Sequence, residues 1–354
     1  MTENFTWPEV LGRLLAEFDL SEAEARWAME QLMSGNASPA QIAGFLVALR
    51  AKGPTGPEIA EFVDVMLTHA ARVSLDANTV DTCGTGGDHS GSVNISTMAA
   101  IAVAATGVPV VKHGNRSASS KSGSADVLEA LGIRLQSTPE QVVEAVDQVG
   151  IAFLFAPVFH PAMKYAGPVR KELGIPTVFN VLGPLANPAG PRAQVVGVAD
   201  PALAPRVAVA LEQRGTAAFV VRAEDGMDEL TTTGNTRIWD CRTPHLTETV
   251  LSPADVGLDS APAGVLDGGD AAENASIAED ALSASPSQAG RYVRDAVVLN
   301  AAAARVCHES VDGADTTGLV EDLRAAVALV NAALNAGEGT RVLERWRSWS
   351  AAQG

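Results

Sequence analysis

Positive charge is scarce in this chain. Of 354 residues, 25 are Lys or Arg and 42 are Asp or Glu, so the formal net charge is −17. A surface of that sign repels nucleic-acid phosphates and anionic lipid headgroups, and it argues against either as a partner. Cysteine is scarcer still. Cys83, Cys241 and Cys307 are odd in number, far apart and free of any C-x-x-C spacing. They exclude a disulfide framework, offer no zinc spacing and fit a reducing cytosol. Long hydrophobic runs are also missing. The most apolar stretch, residues 98–111, is broken by Thr106, Gly107 and Pro109 and is too short to span a bilayer. The opening MTENFTWPEV has no basic n-region and no apolar h-region, so no signal peptide is expected. Neither a G-x-S-x-G elbow nor an H-E-x-x-H pair occurs, which points to electrostatic and positional chemistry rather than covalent catalysis.

The chain is long enough for about two domains, and its 47% apolar content supports packed cores without disulfides. The first seventy-odd residues read as helices only. Ser21 with Glu24, Ser38 with Gln41 and Thr55 with Glu58 match the capping box, and Gly35 and Gly53 fall where helices should stop. From Val80 onward the texture changes. Apolar runs at 108–111, 151–155, 194–198 and 217–221 alternate with helical patterns at 124–131, 139–149 and 202–214. That alternation predicts an α/β domain with a mostly parallel central sheet behind a small all-helical domain. Residues 254–287 read as loop with short helices, and the tail returns to helix at 291–306, 317–335 and 341–350. The segment 160–191 interrupts the rhythm with a helix-like stretch at 162–173 and then a Pro/Gly-punctuated run. The expected division is residues 1–75, with 165–190 packing back on them, against 76–164 and 191–354. A cleft between the two is the expected ligand site.

Four stretches carry chemistry. DTCGTGGDHSGSVNIST, from Asp81, has glycines that let main-chain N–H groups approach a ligand and an apolar helical pattern directly after it. A loop ending at a helix N-terminus favours anions, although a plain glycine-rich turn fits the same letters. It is neither a Walker loop nor a dinucleotide fingerprint, because His89 stands where the last glycine belongs. KHGNRSASSKSG, from Lys112, gathers four basic side chains and four serines at the end of an apolar run. At a strand's carboxyl end that mixture suits a polyphosphate. Asn115 in this stretch either reads a ligand or shapes a turn. Asp228-Glu229 is a pair of hard oxygen ligands suited to Mg²⁺ on a pyrophosphate; taken alone, an exposed acidic turn is the commoner reading. In FHPAMKYAGPVRKELG, Arg170 offers a fork for a planar carboxylate. His160 fits a ligand, a base or a helix start equally well. Cys83 reads as small and packed.

With these pieces in view, the chain resembles the anthranilate phosphoribosyltransferase family, the second enzyme of tryptophan biosynthesis, nearly end to end. The resemblance runs through QIAGFLVALRAKGPTGPEIAEFV, GTGGD, NIST, KHGNRSASSKSGSADVLEALG, VRKELGIPTVFNVLGPLANP, MDEL and VVLNAAAA. It implies a helical domain plus an α/β domain, usually a homodimer joined through the helical parts, working in the cytoplasm. It also implies that Gly84, Gly87, Asp88, Ser92, Asn94, Ile95, Ser96 and Thr97 surround phosphoribosyl pyrophosphate. Lys112, His113, Gly114, Asn115, Arg116, Ser117, Ala118, Ser119, Ser120 and Ser124 would join them. Two Mg²⁺ ions per subunit would sit on Ser96, Asp228 and Glu229. Anthranilate would meet Gly84, His113, Asn115, His160 and Arg170, with Lys112, Asn115 and Arg170 as the catalytic set. Ser92 replaces the family's usual Thr, Ser117 a common Ala, and residues 282–288 differ from the glycine-containing family version. Two rivals share the scaffold: a pyrimidine nucleoside phosphorylase, which KHGNR and GPLANP argue against, and a non-catalytic nucleic-acid-binding relative, which the net charge argues against. An enzyme for a substituted aminobenzoate would keep every phosphate motif.

Overall fold

The computed structural model describes residues 5–117, 121–243, 245–311, 313 and 318–353. Four helices open the chain: α1 (Trp7–Leu15), α2 (Glu22–Met33), α3 (Pro39–Lys52) and α4 (Gly56–Thr68). All three expected capping boxes form. The Ser21, Ser38 and Thr55 hydroxyls accept from the main chain of Glu24, Gln41 and Glu58, whose side chains reach back. Gly53 ends α3 at φ 82°, a left-handed value that a side chain would strain.

A seven-stranded sheet follows, in the order β3-β2-β1-β4-β5-β6-β7. Its strands are β1 (Val80–Gly84), β2 (Val110–Gly114), β3 (Ile151–Phe155), β4 (Ala193–Gly197), β5 (Ala217–Ala223), β6 (Thr236–Asp240) and β7 (Thr247–Leu251). The first five are mutually parallel, and β6 and β7 are antiparallel additions. Between the strands run α5 (Ile95–Ala104), α6 (Ser124–Ala130), α7 (Pro139–Val149), α8 (Ala156–Phe159), α9 (Met163–Leu173), α10 (Val178–Leu185) and α11 (Ala204–Gln213). The chain ends in α12 (Ala271–Leu282), α13 (Gln288–Ser310), α14 (Leu319–Asn335) and α15 (Glu338–Ala352).

Side chains alternate across the sheet, as strand geometry requires. Val195, Phe219 and Val221 face α5 and the C-terminal helices. Val196, Ala218 and Val220 face the other way, into an apolar cluster with Phe45 and Phe62 of the helical module. Ala166, Val169, Val178 and Leu182 of α9 and α10 share that second cluster. The strand order reverses across β1 and β4, and in open α/β sheets ligands bind outside the carboxyl ends at such a switch point. No helix among the described residues is long and apolar enough to cross a membrane.

The antiparallel pair β6 and β7 and the short α8 were not expected, nor were three further elements. β1 carries Asp81 and Thr82 in its buried interior, so it lacks an apolar signature. α10 forms inside the Pro/Gly-punctuated run with Pro184 within it, started by Asn180, whose Oδ1 accepts the Thr177 N–H. α12 is a full twelve-residue helix, started by Asp270, whose carboxylate accepts from Ala272 and Glu273 N–H.

Candidate active site

The site starts from two missing side chains. β1 and β4 end in register at Gly84 and Gly197. A Cβ on Gly197 would lie 1.5 Å from the Asp228 carbonyl oxygen, and one on Gly84 would lie 2.3 Å from the Asp228 carboxylate. The loop after β5 therefore lays Asp228 across both strand ends only because they are glycine. Asp228 accepts the Gly86 N–H at 2.7 Å, and Glu229 accepts the Ser96 N–H of α5 at 3.2 Å. Asn300, inside α13, holds the next residue from behind, accepting from Leu230 N–H at 3.1 Å and donating to its carbonyl at 2.7 Å.

The acid pair is electrostatically unfinished. Burial pushes the Asp228 carboxyl up to about 7, with Asp88 adding repulsion. Burial and the charge of Asp228 push Glu229 to about 8, against a smaller pull from Lys112. No Lys or Arg among the described residues comes within salt-bridge distance of either carboxylate. No cluster of three or more protein metal ligands occurs among the described residues. Two hard carboxylates, a serine hydroxyl and a deficit of positive charge fit Mg²⁺, which keeps open positions for substrate phosphates.

Lys112, on β2, is 1% exposed. Its ammonium donates to the Thr82 carbonyl at 2.5 Å and to Ser96 Oγ at 3.2 Å. It thus reaches the donor site through Ser96. Beyond β2 the basic loop folds over α6. The Asn115 carbonyl accepts from Ser124 Oγ and Ala125 N–H at 3.2 Å each. Arg116 turns to Asp126 at 2.7 Å and Glu129 at 3.0 Å, and Asp126 also receives the Ser117 N–H. Ile95 and Thr97 are buried, so Ile95 has only main chain to offer a ligand. Gly87 sits at φ 78°, and Ser92 bonds Ser90 Oγ at 3.1 Å. Gly114 passes so close to Ser124 Oγ that a Cβ there would lie 2.4 Å from it. Ala118, Ser119 and Ser120 lie outside the described residues.

The acceptor side is built on α10. At its first turn Asn180 Oδ1 accepts from Thr177 N–H at 3.0 Å and from Arg170 at 3.4 Å, and the Arg170 guanidinium lies 5.1 Å from the Phe179 ring centroid. No carboxylate among the described residues pairs with Arg170 within salt-bridge distance, and burial lowers its pKa. At the last turn the Gly183 carbonyl accepts from His113 Nδ1 at 3.1 Å, and the Ala186 carbonyl accepts from His160 Nε2 at 2.9 Å. Each imidazole donates to main chain and is held neutral by burial, His113 down to about 3. The two ring centroids lie 5.1 Å apart, and His113 Nε2 has no hydrogen-bond partner among the described residues. Below them Asp81 accepts from His113 N–H at 3.2 Å and from Asn187 at 2.9 Å, and burial raises it to about 6.

Contacts thus join Gly84, Ser96, Lys112, Asp228 and Glu229 at one point, with His113, His160 and Arg170 arranged along α10. Asp81, Asn180, Asn187, Asn274 and Asn300 are supports that motif reading missed. An amide inside an apolar helix, as in VVLNAAAA, is the one local signal that marks any of them.

This architecture, glycine-floored acids at a sheet's switch point beside a helical module, defines a glycosyl transferase of the helical-bundle plus α/β class. The helical bundle domain of the Glycosyl transferase family matches residues 8–70, and its a/b domain matches residues 76–340. Anthranilate phosphoribosyltransferase of Nocardioides sp. is 50% identical over 341 residues, 96% of this chain and 98% of that protein. The enzyme of that name from Nocardia farcinica is 51% identical, again over 96% and 98%. The crystal structure from Thermus thermophilus superposes with TM-score 0.88 at 41% identity, covering 97% of this chain and 99% of that one. That from Saccharomyces cerevisiae, in complex with PRPP and Mg, gives 0.86 at 27% identity over 98% of both. The chain belongs to the anthranilate phosphoribosyltransferase family.

Proposed function

We propose that this chain transfers the 5-phosphoribosyl group of phosphoribosyl pyrophosphate (PRPP) to the amine of anthranilate, the second step of tryptophan synthesis. The observation that carries the reading is the acid pair, with Asp228 laid over Gly84 and Gly197 and Glu229 accepting an N–H from the N-terminus of α5, in want of cations. The amine nitrogen forms a bond to ribose C1 as the C1–oxygen bond breaks, and pyrophosphate leaves with that electron pair. An aromatic amine has its lone pair at neutral pH, so no strong base is required; the amine proton passes to solvent or to the departing pyrophosphate. The difficulty is charge separation. Ser96, Asp228 and Glu229 would hold Mg²⁺, two ions per subunit, which would neutralise the charge of the leaving pyrophosphate. Lys112 adds positive potential through Ser96, and the main chain around Gly84, Gly87, Asp88, Asn94 and Asn115 cradles the donor. Arg170, with which no carboxylate among the described residues pairs, takes that of anthranilate, and His113 and His160 line the same channel further along α10.

Residues 1–75 with 165–190 act as one domain, and 76–164 with 191–354 as the other; the packing of Val169 and Leu182 on Phe45 and Phe62 supports placing 165–190 with the helical module, in a cluster that also seats it on Val196, Ala218 and Val220 of the sheet. Exposed Leu15, Phe18 and Val47 on the helical module support a homodimer through that face. A biosynthetic role suits the cytoplasm. The test is the loss of anthranilate fluorescence on mixing protein, PRPP and Mg²⁺, with each omitted in turn. The expected outcome is decay only in the complete mixture; no decay there, with PRPP uptake also absent by calorimetry, overturns the assignment.

A further inference from the structure

Asn94 occupies the N-cap of α5, yet its side chain does not cap that helix. Asn at this position ordinarily turns its oxygen onto the N–H of the second or third helical residue. Here Asn94 Oδ1 instead accepts from Asn274 Nδ2 at 2.8 Å, and Asn94 Nδ2 donates to the Ser122 carbonyl at 3.2 Å. The second helical N–H, that of Ser96, is left to Glu229. Asn274 belongs to α12, is 3% exposed, and uses its own oxygen to accept the Gly269 N–H at 2.8 Å.

The strip before α12 runs along the glycine-rich loop. Gly268 N–H donates to the Gly91 carbonyl at 2.8 Å, Val93 N–H donates to the Leu266 carbonyl at 2.9 Å, and Ser92 pairs with Asp267 as an antiparallel bridge. A Cβ on Gly268 would stand 2.9 Å from Val93 N and 3.0 Å from Asn274 Oδ1, so this contact depends on glycine. The rest of the inner face of α12, Ala275, Ala278, Ala281 and Leu282, is apolar. An amide buried in that face costs desolvation and is kept only by the bonds it makes.

We propose that Asn274 is a positioning residue for the donor site: it holds Asn94 away from its own helix, keeps the α5 N-terminus open for the acid pair and phosphate, and ties the glycine-rich loop to the tail of the basic loop. This rests on the function proposed above. Without Asn274, Asn94 is free to swing onto Ser96 N–H and close the anion end of α5 with its own oxygen.

Asn274→Asp and Asn274→Ala test it together. The aspartate keeps an acceptor for Gly269 N–H but turns oxygen against oxygen at Asn94; the alanine removes both bonds without adding charge. Both variants are expected to raise the KM for PRPP about tenfold, the worth of one hydrogen bond. The KM for anthranilate should stay within about twofold, and calorimetric PRPP affinity in Mg²⁺ should fall in parallel. Wild-type behaviour of the aspartate variant shows Asn274 to be only the cap of the Gly269 turn, and wild-type behaviour of the alanine variant reduces any aspartate effect to charge; either overturns the proposal. So does an equal rise in both KM values. A wild-type protein that takes up no PRPP sinks the proposed function and this inference with it, whereas normal wild-type uptake beside unaffected variants sinks the inference alone.

Discussion

Glu58 in the helical module and Glu229 at the end of the sheet are both acids drawn into the protein, and they are treated in opposite ways. Glu58 is 1% exposed and accepts from Leu20 N–H, Thr55 N–H, Thr55 Oγ1 and the Lys52 ammonium, the last at 2.9 Å. Glu229 accepts a single N–H at 3.2 Å and sits beside another acid. Buried ionised groups are tolerated when paired and hydrogen-bonded. By that standard Glu58 is complete and structural, while Glu229 is complete only when something cationic arrives. Lys52 and Lys112 repeat the contrast: both side chains are covered, but Lys52 bonds Asp19 and Glu58 and Lys112 bonds a carbonyl and a hydroxyl.

The sharpest way to break the contrast is to neutralise the unfinished pair. Asp228→Asn with Glu229→Gln should cut turnover by about 10³ or more, worth about 4 kcal/mol of transition-state stabilisation. It should leave the ligand-free fold no less stable. In the folded chain both carboxyls titrate near 7 and 8, above the ~4 of unfolded acids. Between those limits the folded state holds more protons, so ligand-free stability falls as pH rises from 5 to 8. Melting curves across that range should slope downward in the wild type and flatten in the double variant; parallel slopes would mean the acids are not strained by burial.

Lys52→Met should do the reverse. Stripping the cation from Glu58 should cost about 3 kcal/mol of stability while the folded enzyme keeps its KM values. Denaturant titration with steady-state kinetics checks both halves, and a changed KM would place Lys52 in the site. Arg170→Ala, a change to a cation with which no acid among the described residues pairs, should raise the KM for anthranilate roughly tenfold to thirtyfold, about 1.4–2 kcal/mol, and leave that for PRPP alone. An unchanged anthranilate KM removes the clamp.

What the sequence discloses follows from how local each feature is. Ser21–Glu24 and Thr55–Glu58 are three residues apart, so the caps could be read directly, as could β3 and most of β5, whose runs at 151–155 and 217–221 are apolar throughout. The glycine loop, the basic loop and the acid pair were legible as chemistry, though only the fold shows them meeting. The amides were not legible. Asn187 finds Asp81 across 106 positions, Asn274 finds Asn94 across 180, and Asn300 finds Leu230 across 70. Their partners are main chain, a buried acid or another amide, and no spacing rule announces such pairs. β1 was hidden for the same reason, since its buried polar residues are matched by groups far along the chain.

The antiparallel turn of the sheet after β5 has one further result. The acids stand in the connection of a hairpin, with Ala223 paired to Thr236 and Glu224 N–H donating to the Asn235 carbonyl at 2.9 Å. A connection stapled to a ladder at both feet cannot swing like a flap. Asp228 and Glu229, tied further to Gly86 and Ser96, are therefore the anvil of this enzyme, a fixed surface against which a ligand is set.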